Sequence, residues 1–544
     1  MSGGRASSPA LRVPPSGSPI QNANAQRGVA SDTDMYENAD ADSPLMGVPA
    51  PTPRTGQRIR ARAVAATFFI FWATFLTYLE RQGFSVSVTE MARVSGVDEN
   101  VKASILGAFF WGYTLMQIPG GALANRLGNS RALTFTFLAL AVVNLLQPGE
   151  LTGAVSVSTL IGCRVLIGVA QGALFPAIHA VLADLIPSES RSTLVSVASS
   201  GMFAGSAVAL SVSPLVVQHA GSRVLFLAIA AMAGLWVCMW HVWSERVRGG
   251  PGGTEGMSSA PGSIPWKGLM FKKAGAACTV GNCAFSYVSI FMMNYLPSFC
   301  EKKLGTSLAG MGPIAPLAPF LAMFFCTIGG GWLASSLIQR WNPNARGVET
   351  STVGAVKKAR QAVNGAGFLL AAVGSVAMAL SSDLATGLVS MCLTLGALGL
   401  SRGGWAVSHI DVAGRDGLAG VLMAVANTVA AAAGVVATSF TGAVLSASTS
   451  GEGGGAAAAG VGGGWSLVLG VNAVVCVIGA VLYHWWVEGG AVDFFRLGVT
   501  GSSASLSNSL SGSVGAVERG AGERRDREDL PLSPPVDWGG DHRE

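Results

Sequence analysis

The chain has few charged residues for its length. Only 12% of its 544 residues are Asp, Glu, Lys or Arg, against roughly 25% in a typical soluble protein. Half of the residues are hydrophobic and 72 are glycine, a residue that transmembrane helices tolerate better than soluble ones. These features exclude an ordinary soluble domain. The formal net charge of +5 is scattered, and without a dense basic tract we expect no nucleic-acid partner.

Catalytic and metal-binding motifs are also missing. The chain has no Walker A loop, no HExxH and no GxSxG in a usable context, so neither an enzyme nor transport driven directly by ATP is expected. Its eight cysteines are dispersed, and none shows CxxC or zinc-site spacing. The sequence therefore predicts small buried thiols, no metal site and no cofactor.

Apolar stretches fill most of the chain, each about the 20 residues that a hydrocarbon core requires. We predict twelve spans, at about 64–88, 103–123, 132–148, 158–182, 193–217, 224–243, 274–296, 312–336, 362–380, 384–404, 417–445 and 466–486. With a cytosolic N-terminus, the cytosolic loops hold fourteen Lys and Arg residues and the opposite loops five. The positive-inside rule favours this orientation.

The longest internal polar segment divides the spans six and six. We therefore predict an all-α membrane protein with twelve transmembrane helices in two six-helix halves around a central cavity. The halves are residues 63–243 and 274–486, with a central cytosolic loop at 244–273. Residues 1–62 and 487–544 lack apolar periodicity and are predicted to be disordered cytosolic tails.

A few charged side chains interrupt the predicted spans. Arg164 is the only charged residue between Leu151 and Asp184, and burying its guanidinium costs at least a few kcal/mol. Such a residue faces protein or a water-filled cavity, where it usually meets an anion. Glu80 and Arg81 interrupt the first span and point about 100° apart on a helix. One of them can face the cavity while the other pairs with a neighbouring helix; a structural ion pair is the alternative.

Polar residues at helical spacing accompany these charges. Gln171 lies seven residues after Arg164 and shares its face, whereas His179 lies near the inner end of the same span. Tyr113 and Gln117 share a face of the second span, and either line a cavity or bond helix to helix. Arg402, near the end of the predicted tenth span, is expected to snorkel to the membrane interface, with a role in the cavity as the alternative.

Several segments, in chain order, resemble the anion:cation symporters of the major facilitator superfamily. That family includes sialin, the vesicular glutamate transporters, and the plastid and phosphate anion transporters. The matching segments are Phe109–Ala124, Gly121–Arg131, Arg164–Pro176, Pro187–Ser192, His409–Ala413 and Leu422–Thr428.

The resemblance implies the major facilitator fold and a small anionic substrate moved with a coupling cation, H⁺ or Na⁺. It implies an anion-binding set, a cation-coupling set and a conformational loop between the second and third spans. The predicted anion-binding residues are Arg81, Arg164, Tyr113 and Asn427, and the loop residues are Gly121, Asn125, Arg126, Gly128 and Arg131. The predicted coupling residues are Glu80, Gln171 and His179. His179 is included for its place on the fourth span, and a packing histidine is the alternative for it.

Three positions depart from the family pattern. Glu80 stands where the family usually has Asp, and Asn125 stands where the loop usually has Asp. Gln171 replaces a glutamate that the family uses in proton coupling, which implies reduced proton coupling. A secondary active transporter is the leading hypothesis. A non-transporting anion sensor and a facilitative exchanger are the alternatives.

The N-terminal segment has two patterns that resemble sorting signals, and a plain solvated tail is the leading interpretation of both. Arg5, Arg12 and Arg27 precede the first acidic residue, as in a plastid or mitochondrial transit peptide, and Leu45-Met46 lies in a loose acidic dileucine pattern. We predict a multi-pass membrane protein and leave open the plastid envelope, an endolysosomal or vacuolar membrane, and the plasma membrane.

Overall fold

The computed structural model describes residues 53–97, 99–248, 263–305, 314–342, 349–414, 417–450 and 460–496. Most of both predicted tails, residues 1–52 and 497–544, and the middle of the predicted central loop, residues 249–262, lie outside the described residues. From Thr55 onward the described helices form one compact unit.

Helices make up almost all of the described chain, and no strand occurs in those residues. In chain order they are α1 Pro53–Ser95, α2 Glu99–Leu127, α3 Asn129–Leu146, α4 Ala154–Gly172, α5 Leu174–Leu185, α6 Arg191–Ala220, α7 Ser222–Arg248, α8 Trp266–Phe271, α9 Lys273–Lys302, α10 Ile314–Trp341, α11 Glu349–Leu380, α12 Leu384–Ala413, α13 Ala419–Ser450 and α14 Gly460–Trp486. A 3₁₀ turn, Ser188–Ser190, precedes α6.

The predicted twelve spans correspond to these helices, with α4 and α5 together forming the fourth. Eleven spans among the described residues are long and apolar enough to cross a membrane, and α2, with 29 residues, is the twelfth. The predicted all-α membrane fold is thus confirmed. Large apolar side chains point outward in mid-helix, such as Trp111 and Leu115, which are 72% and 74% exposed. Lipid covers such a surface, which would be a liability in water.

The fourth span is not the continuous helix that the apolar run predicts. Helix α4 ends at Gly172, and α5 begins at Leu174. Pro176 lacks a backbone N–H and its ring crowds the preceding turn. The break therefore falls where proline removes the helical hydrogen bond to Gly172.

The described structure extends into both predicted tails, residues 1–62 and 487–544. Each tail is therefore shorter than predicted. Helix α1 begins at Pro53, so the last part of the predicted N-terminal tail is helical, in a stretch rich in the good helix formers Arg and Ala. At the other end, Phe494 is buried in the core against Leu269, and the Val492 N–H donates to the Val412 carbonyl at 2.9 Å. A few apolar residues thus fold back onto the helices and order this segment.

We name helices α1–α7 the N-terminal set and α9–α14 the C-terminal set. Within the N-terminal set, α2 packs on α4 and α3 on α7; within the C-terminal set, α12 packs on α10 and α11, and α9 on α13. The two sets meet where α6 packs on α10 and where α13 packs on α2 and α5.

Close helix crossings depend on glycine. A Cβ at Gly112 of α2 would lie 2.2 Å from the Val165 carbonyl oxygen, and one at Gly168 of α4 would lie 2.2 Å from the Phe109 carbonyl oxygen. The two backbones therefore approach each other as only glycine permits. This contact brings α4, with Arg164, against the aromatic face of α2.

Candidate functional site

A buried carboxylate lies at the centre of the N-terminal set. Glu80 of α1 is fully buried, and Arg164 Nη1 donates to Glu80 Oε1 at 2.5 Å. The Gln171 amide donates to Glu80 Oε2 at 3.3 Å. Arg164 and Gln171 thus share one face of α4, as their spacing predicts. We call Glu80, Arg81, Arg164 and Gln171 the central network.

Arg81 leaves α1 in a different direction from Glu80 and has no carboxylate partner in the central network. Its Nε–H donates to Gln171 Oε1 at 2.9 Å. Its guanidinium carbon lies 4.4 Å from the ring centroid of Phe109 and 4.8 Å from that of Tyr113. Its Nη2 is buried without a hydrogen-bond partner among the described residues. Gln171 therefore bridges the carboxylate on one side and a cation with a spare donor on the other.

The central network has a formal excess of positive charge. Arg164 is 4% exposed, and its guanidinium carbon lies 4.0 Å from the Phe84 ring centroid and 5.0 Å from that of Phe109. Two guanidinium groups face one carboxylate, Glu80. Aromatic faces stabilise a cation without neutralising it. A small anion is the species that would complement this centre.

A chain of polar side chains links the network region to the C-terminal set. The Asn427 amide of α13 donates to the Tyr113 hydroxyl and to Gln117 Oε1, each at 2.8 Å. Asn282 of α9 approaches Asn427 Oδ1 at 3.5 Å. The sequence allowed the shared face of Tyr113 and Gln117 either to line a cavity or to bond to another helix. In the structure, both side chains bond to another helix. Tyr113 nevertheless also contacts Arg81, so the link reaches the central network.

His179 lies apart from the central network, although it belongs to the predicted coupling set. It is buried, with its Nδ1 3.0 Å from the Phe175 carbonyl oxygen of its own helix. Its ring packs edge-on against His409 of α12, with centroids 5.7 Å apart. These contacts fit a packing histidine, and its role in coupling stays a prediction.

The loop residues lie at the end of α2 and the start of α3. A Cβ at Gly121 would lie 3.0 Å from the Ala424 side chain of α13, so α2 and α13 approach closely there. Gly128 has a φ of 91°, a conformation that favours glycine. Arg126 and Arg131 are exposed. The side chain of Asn125 lies outside the described part of the structure, so its predicted effect on the loop stays a prediction.

Sequence reasoning missed an ion-pair cluster that joins the two sets. Asp411 of α12 accepts from Arg191 Nη1 at 3.1 Å and from Arg360 at 2.9 Å. Arg360 of α11 is 1% exposed and also donates to the Ser192 hydroxyl and the Gly403 carbonyl oxygen, each at 2.8 Å. We call Arg191, Arg360 and Asp411 the latch. In the predicted orientation it lies on the cytosolic side.

The signals for the latch were present in the sequence but ambiguous. In the sequence, Arg191 and Arg360 are among the cations of the predicted cytosolic loops, and Asp411 lies in the family-like segment His409–Ala413. All three belong to helices in the structure, so charges assigned to loops lie in a packed interface. Only the tertiary contact identifies them as partners.

Arg402 does not snorkel, contrary to the sequence-based expectation. It is 5% exposed, and its guanidinium carbon lies 5.7 Å from the ring centroid of Phe203 and 5.0 Å from those of Phe285 and Trp405. Helix α12 continues to Ala413, well beyond the predicted end of the tenth span. Arg402 therefore lies buried among helices, well before the end of α12.

The order of helices and the sequence matches identify the family. A model of the Major Facilitator Superfamily matches residues 70–438. The chain belongs to this superfamily. It is therefore a multi-pass membrane transporter rather than an enzyme, as the sequence predicts.

Relatives within the superfamily carry related names. The chain is 32% identical over 429 residues to "Probable anion transporter 5" of Arabidopsis thaliana, covering 76% of this chain and 94% of that protein. It is 26% identical over 409 residues to human sialin, covering 72% of this chain and 76% of sialin. It is 24% identical to the Arabidopsis "Sodium-dependent phosphate transport protein 1, chloroplastic", covering 76% and 77% of the two chains.

A solved superfamily transporter has the same fold. The crystal structure of FucP in the outward conformation matches with a TM-score of 0.57 at 13% sequence identity, covering 77% of this chain and 98% of FucP. At this identity the likeness concerns the fold alone.

Proposed function

We propose that this superfamily transporter is a secondary active transporter of a small anion, either an organic anion or inorganic phosphate. The observation that carries the proposal is the central network, in which two guanidinium groups face one carboxylate and Arg81 Nη2 has no described partner. A buried unpaired cation is costly in a membrane. An anionic substrate would offset that cost while it is bound. The printed names of the relatives, which include anion and phosphate transporters, support the same class.

Alternating access gives the two sets different tasks. The latch joins α6 of the N-terminal set to α11 and α12 of the C-terminal set, so it stabilises closure on the predicted cytosolic side. The Glu80–Arg164 pair lies inside the N-terminal set. Transport then proceeds as the latch breaks and reforms, with the network carried along by its own helices.

Cation coupling is assigned to Glu80. When its carboxylate is ionised, Glu80 holds Arg164. A proton on Glu80 removes that negative charge and leaves Arg164 free to bind the anion, so proton and anion bind together. Gln171 positions both Glu80 and Arg81 but cannot carry a proton at neutral pH. We therefore propose fewer coupled protons than a second acid would allow, with Na⁺ as the other candidate cation.

Exchange without a driving cation is the second candidate, and Gln171 is the observation that favours it. An amide at this position preserves the hydrogen bonds while removing one site of protonation. Counterflow separates the two functions: an exchanger needs anion on both sides, whereas a symporter accumulates anion into anion-free vesicles.

The test is uptake into proteoliposomes containing the full chain. Radiolabelled phosphate, glutamate, sialate and ascorbate are each offered with and without an imposed pH or Na⁺ gradient, and empty liposomes serve as the control. Accumulation of at least one anion, increased by a gradient, is expected. Thermal stabilisation by an anion without flux under any gradient would overturn transport in favour of a sensor.

A further inference from the structure

A further buried arginine without a carboxylate partner among the described residues lies in the C-terminal set. Arg402 belongs to α12 of the C-terminal set, and its buried Nε has no hydrogen-bond partner among the described residues. The rings around it come from three helices, with Phe203 on α6, Phe285 on α9 and Trp405 on α12. No carboxylate within the described ranges pairs with it. Its charge is held by aromatic faces, which leave its N–H groups available.

Tyr78 connects Arg402 with Arg81. The Arg81 guanidinium carbon lies 5.2 Å from the Tyr78 ring centroid. Tyr78 also packs against the buried cluster that contains Phe203, Phe285 and Trp405, the three rings that surround Arg402. Tyr78 therefore links Arg81 of the N-terminal set to the aromatic surroundings of Arg402 in the C-terminal set.

We propose that Arg402 is a second anion-binding residue and that the substrate is a small dianion held between Arg81 and Arg402. This inference rests on the proposed transport function and names its substrate class. While Glu80 is ionised, its carboxylate is the only described negative charge to set against the guanidinium groups of Arg81, Arg164 and Arg402, which leaves a formal excess of two positive charges. A dianion matches that excess, whereas a monoanion leaves one buried cation unpaired.

The second negative charge of a dianion would also affect the conformation of the transporter, because the ligand then contacts both sets of helices. A ligand that contacts Arg81 and Arg402 gains its full binding energy only when the two sets hold these residues at the right separation. Such a ligand shifts the population towards the state in which the sets approach each other. A monoanion on Arg81 alone has no comparable preference.

The test uses matched pairs of dianions and monoanions with the full-length protein. Inorganic phosphate and succinate are the dianions at mildly alkaline pH; dimethyl phosphate and succinamate are their singly charged counterparts. Thermal stabilisation measures binding, and proteoliposome uptake measures flux. Arg402→Met is the main variant because methionine suits an aromatic cage, Arg402→Lys restores the charge, and exposed Arg340→Met on α10 is the control.

We expect the wild-type protein to bind a dianion more tightly than its counterpart. Arg402→Met should weaken dianion binding by about tenfold to a hundredfold, as expected for loss of charged hydrogen bonds, and so lower the dianion-to-monoanion ratio. Arg402→Lys should restore part of the ratio, and Arg340→Met should leave it unchanged. The melting temperature of ligand-free Arg402→Met should equal or exceed that of the wild type, because an unpaired buried charge is gone.

Two results would overturn the inference: an unchanged dianion-to-monoanion ratio in Arg402→Met, whatever the ligand-free melting temperature of that variant, or no stabilisation of the wild-type protein by either dianion. A response to phosphate alone would assign a phosphoryl dianion, and a response to succinate alone a dicarboxylate. Dianion binding that depends on Arg402 without any flux would uphold the inference and count against the proposed transport.

Discussion

The central network and the latch contain the same kinds of charged groups, but their arginines are paired with the carboxylate to different extents. Each contains one buried carboxylate and two arginines. Glu80 pairs directly with one arginine and reaches the second only through Gln171. Asp411 pairs directly with both of its arginines. The network therefore keeps one cation available, whereas the latch satisfies its cations more fully.

Position in the fold separates them further. The network is built from α1 and α4 of one set, so its ion pair can persist while the sets move. The latch joins two sets, so it must break whenever that side opens. In the proposed mechanism, the same kinds of charged groups thus bind the ligand in the central network and control the conformation in the latch. The predictions below test this contrast, beginning with the largest expected effect.

Removal of Arg164 should abolish uptake. Arg164→Ala leaves Glu80 buried without its ion-pair partner, which costs about 3–5 kcal/mol of stability, and it removes an anion ligand. Uptake into proteoliposomes and the melting temperature are measured together. The double variant Glu80→Gln/Arg164→Met removes both charges, so it should recover stability without recovering uptake. Normal uptake in either variant would contradict the role of Arg164.

Changing the titratable group of the network should alter coupling. Glu80→Gln is expected to remove the dependence of uptake on an imposed pH gradient, because the amide keeps an acceptor for Arg164 but binds no proton. Gln171→Glu is expected to increase that dependence. One proton crossing 100 mV is worth about 2.3 kcal/mol, so accumulation should change measurably. The same pH response in the wild type and both variants would place coupling elsewhere.

Neutralising the latch should open the side that it closes. Asp411→Asn leaves Arg360 and Arg191 without a carboxylate. The Thr193 and Ser335 hydroxyls lie 2.9 Å apart across the two sets, so a cysteine pair at these positions reports closure. We expect about tenfold slower cross-linking in Asp411→Asn, corresponding to about 1.4 kcal/mol of conformational free energy.

An exposed ion pair provides the control for this experiment. Glu488 lies 3.2 Å from Lys357, and both are substantially exposed, so their interaction contributes little. Glu488→Gln should leave the cross-linking rate unchanged. If it slows cross-linking as much as Asp411→Asn does, the latch is not what holds the sets together.

An exposed carboxylate should have the smallest effect. Asp383 precedes α12 and accepts from the Thr386 backbone N–H at 3.0 Å. This hydrogen bond, aided by the Thr386 hydroxyl, lowers the pKa of Asp383 below its ordinary value. Its stabilising contribution is therefore complete above the ordinary range of an aspartate and is lost as the pH falls through the lowered folded-state pKa.

Asp383→Ala should therefore lower the melting temperature slightly at neutral pH, and the difference should vanish in acid. Thermal unfolding across an acidic pH series measures it. Asp383→Asn keeps a capping side chain and should remove the pH dependence. A difference of constant size at every pH would show that the charge of Asp383 does not contribute.

The sequence by itself determined the local features of the protein. Its shortage of charge and its apolar run lengths predicted twelve spans, since each span depends only on neighbouring residues and the thickness of a bilayer. The helical period placed Arg164 and Gln171 on one face, and the 100° offset separated Glu80 from Arg81. These predictions hold because helix geometry is set locally.

Only the tertiary structure decided which charges are partners. Arg191 and Asp411 are 220 residues apart, and Arg402 meets rings from two other helices. No spacing rule predicts such contacts, because they depend on how whole helices pack. The folded-back segment at Phe494 is likewise ordered by a distant core. The sequence determined where charge enters the membrane, and tertiary packing decided that Arg164 pairs with Glu80 while Arg81 and Arg402 have no carboxylate partner among the described residues.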